Sequence, residues 1–174
     1  RMYQEFFGQM KKMLVQLDGW LAAGAAFAQA NSFNPDELLE LRLAPDQFAF
    51  ARQVVIAGDT AKLAAARLTG IEAPKQADAE TTLEDLRTRI RGVVAYLESL
   101  PADAFAGAAT RAVTQPRWEG KWMTGADYFL EHAVPNFFFH ITHTYALLRH
   151  RGVTLGKRDY LGPVSLREPV AAAT

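Results

Sequence analysis

From Phe6 onward the apolar positions of the first segment fall at Phe6, Met10, Met13, Leu17, Trp20, Gly24 and Phe27. Spacings of four and three alternate, which is one seam of a long amphipathic helix. It is predicted over residues 3–30, roughly 40 Å at about 1.5 Å per residue. "NPDELLE" opens a second, short helix, with Asn34 as cap, Pro35 in the first turn and acids behind it. "APDQFAFARQVVIAGDTAKLAAARLTG" reads as the next long helix, over 46–69, entered at Pro45 and Asp46 and left at Gly70. A polar linker, "EAPKQADAE", follows. Another helix opens at "TTLE", where Thr81 and Glu84 have capping-box spacing, and its seam is Leu83, Leu86, Ile90, Val93, Leu97 and Leu100 before Pro101. The stretch "ADAFAGAATRAVTQPRWEGKWM" reads as a loop or a short two-stranded excursion. The last helix starts after Thr124, with Asp127 at its third position, and stops at Gly152. Pro135 removes a backbone donor inside it, which predicts a kink or a fresh start at Asn136.

Four long amphipathic segments and no sustained period-2 run predict an all-α fold, a four-helix bundle. Ten extended residues cover about 33 Å, so the linker after Gly70 either turns back or crosses the bundle's length. Residues 1–174 read as one domain, with 153–174 a tail packing on the bundle around "GKRDYLG".

Bulk composition then removes several function classes. There is no cysteine, hence no disulfide, thiolate nucleophile or Cys-based zinc site. Lys plus Arg equals Asp plus Glu, at 19 each, so no general attraction to nucleic acid or anionic lipid is expected. No apolar run reaches the roughly 20 residues of a membrane span. The first residues lack the basic, apolar, small plan of a signal peptide, and the expectation is a cytoplasmic protein. Phosphate loops, GxGxxG, GxSxG and HExxH are all missing.

Candidate chemistry gathers in "HAVPNFFFHITHTYALLRHRG", which holds all four histidines. Positions 132, 136, 140, 143, 147 and 150 advance by three or four, so His132, Asn136, His140, His143, Leu147 and His150 share one stripe. His140 and His143 are a turn apart and could ligate one divalent ion, Zn or Ni, whereas His150 stands about 10 Å further along. No other helix carries a histidine, so Gln53 and Asp59 of the second long helix, or Asp46 at its entrance, are what remains opposite. His140, His143, His150, Asn136, Gln53 and Asp59 are therefore the candidate pocket, with His140 and His143 as candidate metal ligands. The plainer reading makes these histidines the polar seam of a buried helix, and places His150 at a helix end where a cation suits the dipole.

"MYQ", "RLAPDQFAFARQVVIAGDTAK" and "PNFFFHITHTYALLRHRGVTLGKRDYLG" together resemble the domain-of-unknown-function branch of the DinB/YfiT-like metalloenzyme superfamily, over about residues 2–162. The resemblance implies a four-helix bundle with a crossover between helices two and three, and commonly a homodimer. It also implies a metal held by a second-helix His and an HxxxH pair on the fourth helix, in thiol-dependent transferases and an isomerase. Carried over, those ligands fall on Gln53, Ala146 and His150, of which only His150 matches. Two functions follow as expectations. One is a metal- or thiol-dependent transferase or hydrolase built on the histidine pocket. The other is a non-enzymatic, dimeric small-molecule-binding or structural protein whose metal site has decayed.

Overall fold

The structure is a computed structural model that describes residues 1–169. The end of the expected tail, residues 170–174, lies outside the described residues. The chain is mostly helical. α1 spans Met2–Ala30, α2 Phe50–Thr69 and α3 Leu83–Ser99. Gly125–Asp127, a π-turn Tyr128–Ala133 and Val134–Arg151 follow one another without a break and together are α4. A short α5, Lys157–Leu161, closes the described fold. A 3-10 turn, Pro35–Glu40, joins α1 to α2, with Asn34 accepting from the backbone of Asp36 as the sequence predicts.

Three local expectations need correction. α2 begins at Phe50 rather than 46, because the backbone N–H of Phe50 is already used by Leu41 O and the Arg42 side chain is folded onto Gln47 O. Residues 42–49 are thus a closed turn, and Pro45 and Asp46 belong to it. The α3 cap is Thr82 with Asp85, one residue beyond the Thr81–Glu84 reading. "TTLED" offers both registers, and the register taken hands the Leu83 N–H to Asp36 of the 3-10 turn. Of the two readings of the connection before α4 the two-stranded one holds, β1 Ala112–Val113 antiparallel to β2 Met123–Thr124, and what this sheet corrects is the all-α expectation.

α4 does not restart at Asn136; helix runs through Pro135. Val134 N–H bonds to Phe129 O, five residues back, in the π-turn directly before the proline. The wider turn rearranges the carbonyls that a proline ring would otherwise strike, and π-turns inside helices recur beside functional sites.

The seams read from the sequence are the observed core. Met10, Met13, Leu17 and Trp20 of α1 and Leu86, Ile90 and Val93 of α3 are buried against Phe50, Val54, Ala61 and Leu68 of α2 and Phe137, Ile141 and Leu148 of α4. Each buried Val, Leu, Ile, Phe or Met side chain among them contributes roughly 1.5–3 kcal/mol by leaving water. Directions follow from pairs of contacts. α1 and α3 are antiparallel, since Lys11 meets Glu98 and Asp18 meets Arg87. α1 and α4 are parallel, since Phe6 meets Phe129 and Gly24 abuts Leu148. α2 and α3 run the same way: Gly58 abuts Ile90, and Tyr96 Oη reaches Ile71 just beyond the end of α2. The linker returns along α2, with Gln76 on Lys62 and Asp78 on Arg52.

α5 packs on α1. Trp20 Nε1 donates to Asp159 O at 3.1 Å, and its ring stacks on Tyr160.

Candidate functional site

α2 and α4 lie antiparallel, and two side-chain bonds tie them. His140 Nδ1 stands 2.7 Å from Gln53 Oε1, and Asn136 Nδ2 donates to Thr60 Oγ1 at 2.8 Å. Between them opens a cavity of about 470 Å³. Its apolar wall includes Phe48, Ile56 and Leu63 of the α2 side, with Pro116 from the β1–β2 connection. Its polar wall holds Arg52, Asp59, Thr60 and Arg67, then Tyr128, His132, Asn136 and His140 of α4, and Gln115 and Arg117 of the connection.

The hydrogen bonds fix which atom does what. Gln53 Nε2 donates to Phe48 O at 3.2 Å, so Gln53 Oε1 is the acceptor facing His140. His140 therefore carries its proton on Nδ1 and keeps the Nε2 lone pair. Burial, followed by the charges of His143 and Arg52, pushes the His140 pKa down to about 4, which leaves the ring neutral at pH 7. Thr60 Oγ1 donates to Ile56 O and accepts from Asn136, which leaves Asn136 Oδ1 as a further acceptor. Asp59 is bound by Arg89 at 3.0 Å and by Lys62 at 3.2 Å.

At the other end His132 Nε2 lies 2.8 Å from Arg117 Nη2, and a guanidinium can only donate. The His132 ring stacks on Tyr128 at 5.5 Å between centroids. Burial, then the nearby Arg117 and Arg67, lower its pKa. His143 also has its pKa lowered by burial; it is 7% exposed, its Nε2 has no hydrogen-bond partner among the described residues, and its ring meets Phe139 edge-on.

Of the residues singled out in the sequence, His140, Asn136 and Asp59 line this cavity, and Gln53 stands behind His140 as its partner. His143 is buried one turn further along and is not in the cavity wall. His150 is exposed at the end of α4, so the α4 residue that faces Gln53 is His140 rather than His150. His132, Arg52, Arg67, Arg117, Thr60 and Tyr128 were not singled out for the pocket. A signal existed for some: Arg52, Ile56, Thr60, Leu63 and Arg67 recur at helical spacing on one face of α2. Arg117 arrives from a connection whose path no periodicity reveals.

The residues present do not make up the metal site that the resemblance implies. The second-helix position is the amide Gln53, Ala146 stands where the fourth-helix pair needs a His, and among the described residues no group of three or more His, Cys, Asp or Glu is arranged to hold an ion. Gln is also a poor ligand for a borderline metal.

Comparison with known proteins places these observations among relatives. A family model described as "Domain of unknown function (DUF1993)" matches residues 2–161. No curated protein matches. The crystal structure of a DinB family member from Shewanella denitrificans at 1.83 Å resolution is similar throughout. Identity is 47%, with 97% of this chain and 98% of that one covered, and the TM-score is 0.90.

Proposed function

The chain belongs to the DUF1993 family, within the DinB-like proteins, and from that premise we propose that it is a DinB-like four-helix bundle, with a crossover between α2 and α3, that binds a small organic molecule in the α2–α4 pocket without a metal. One observation carries this reading. The Phe48–Gln53–His140 chain of hydrogen bonds holds a neutral imidazole, its Nε2 lone pair not used by that chain, in the wall of a cavity of ligand size, beside Asn136. Pockets of a few hundred Å³ with apolar walls and a few fixed polar groups are the usual sites of small ligands. Two oriented acceptors select a ligand that brings donors, such as an amide, amine or hydroxyl.

Binding is favoured over the transferase or hydrolase reading by the basicity of His140. An imidazole held at about 4 is far below a thiol near 8.5, so it accepts a hydrogen bond from a thiol or hydroxyl without taking the proton. General-base catalysis is best served by a pKa near the working pH.

The test is a titration of tag-free, EDTA-treated protein with benzamide, followed by the imidazole resonances of His140. The expected result is a saturable shift in wild type and loss of binding in His140→Phe. A protein that responds only after Zn²⁺ is supplied, or not at all, would sink the reading.

A further inference from the structure

Charges along the pocket are matched unevenly. Near the His140 end Arg52 pairs with Asp78 at 3.2 Å, and Arg89 and Lys62 share Asp59. At the His132 end two cations face the cavity with no ion pair among the described residues, Arg67 and Arg117. Both are anchored to one aromatic pair. Arg67 Nη1 donates to Tyr128 Oη at 2.9 Å with its guanidinium over the Tyr128 ring, and Arg117 donates to His132, which stacks on Tyr128. Those bonds spend one N–H of each fork and leave the others unspent. Tyr128 Oη, accepting from Arg67, keeps its own proton to donate. His132, neutral and with its lone pair on Arg117, orients that cation without offsetting its charge. Two like charges converging on a half-enclosed cavity repel each other unless an anion joins them.

We propose that this end of the pocket is an oxyanion subsite, in which Arg67, Arg117 and the Tyr128 hydroxyl hold a carboxylate or phosphoryl group of the ligand. The assignment rests on the pocket reading above and narrows it. The ligand is a small organic anion, its charged end at His132 and its hydrogen-bond donor toward His140. Planar guanidinium forks suit both oxyanions, because their paired N–H groups match paired oxygens.

Benzoate and benzamide differ mainly in charge, and phenyl phosphate replaces the carboxylate with a phosphoryl group. Each is titrated into wild type and Arg117→Gln while the His132 and His140 imidazoles are followed by NMR. Arg117 is exposed, so its removal spares the core; Arg67→Lys, which keeps a cation but loses the fork, is the second variant. The expected result is saturable binding of at least one anion that moves His132 and weakens about tenfold or more in Arg117→Gln, while benzamide binds both proteins alike through His140. Anion affinities unchanged in both variants, or benzamide as tight as benzoate and phenyl phosphate in wild type, would overturn the subsite. If benzamide moves His140 and neither anion moves His132, the subsite falls and the pocket stands. If none of the three moves either ring, both fall.

Discussion

His140 is 8% exposed and donates to Gln53, and that single bond decides what the imidazole can do. Its folded pKa of about 4 lies below the ordinary 6.5, so the unfolded chain binds the proton first on acidification. Between pH 6.5 and about 4 the unfolded state therefore holds more protons, and stability falls as pH falls through that window. His132 and His143 are lowered as well and act in the same direction. Urea unfolding across pH 4–7 is expected to show this loss in wild type and a shallower slope in His140→Gln. Equal slopes would mean that His140 is not held neutral. Gln53→Leu strands the buried Nδ1–H and is expected to cost about 1–3 kcal/mol in the same assay at pH 7. The stripe of His132, Asn136 and His140 was legible in the sequence because helical spacing alone puts them on one face. The exclusion of His143 was not, since a modest rotation around α4 separates cavity wall from packed core and spacing does not resolve that, whereas His150 falls outside by standing exposed at the end of α4.

At the scale of elements, caps were the most readable features. Asn34, Gly70, Thr124 and Gly152 end or begin helices where the sequence puts them, the two glycines at positive φ. The register of the α3 cap was not readable, because Thr81 and Thr82 precede Glu84 and Asp85, and a contact with Asp36 from another element chooses between them. The crossover linker is fastened by Arg89, 5% exposed, which reaches Asp59, Glu80 and Ala77 O. Removing one partner from a buried ionic network leaves the others uncompensated. Arg89→Met is expected to cost about 3–5 kcal/mol and to expose residues 72–80 to limited proteolysis; an unchanged melting temperature would contradict the clamp. The start of α4 depends on Gly125, whose added Cβ would strike the backbone oxygen of Ala108. Gly125→Ala is expected to lower stability by about 3 kcal/mol or more, as overpacking against backbone does. Thermal denaturation measures it, and a neutral result would show that the Ala108–Thr110 turn yields.

For the molecule as a whole, the formal charge is zero, yet charge is not spread evenly. Acids gather where they tie the linker after Gly70 to α2 and α3, and two guanidinium groups without an ion pair among the described residues gather at one end of the pocket. No helix among the described residues is long and apolar enough to cross a membrane. The helical architecture was legible because each seam must be buried along its length, and the linker's length allowed the path on which Gln76 and Asp78 lie along α2. The pocket was less legible because it is assembled from α2, α4 and the β1–β2 connection, and a sequence gives no distance between elements that meet only in space. The proposed metal-free pocket organised by a neutral His140 is open to one direct reading, ¹⁵N NMR of that imidazole in tag-free protein. The prediction is a proton on Nδ1 from pH 5 to 8, a spectrum unmoved by one equivalent of Zn²⁺, and a saturable shift with benzamide. Zn²⁺ at one equivalent moving His140 and His143 together would contradict it.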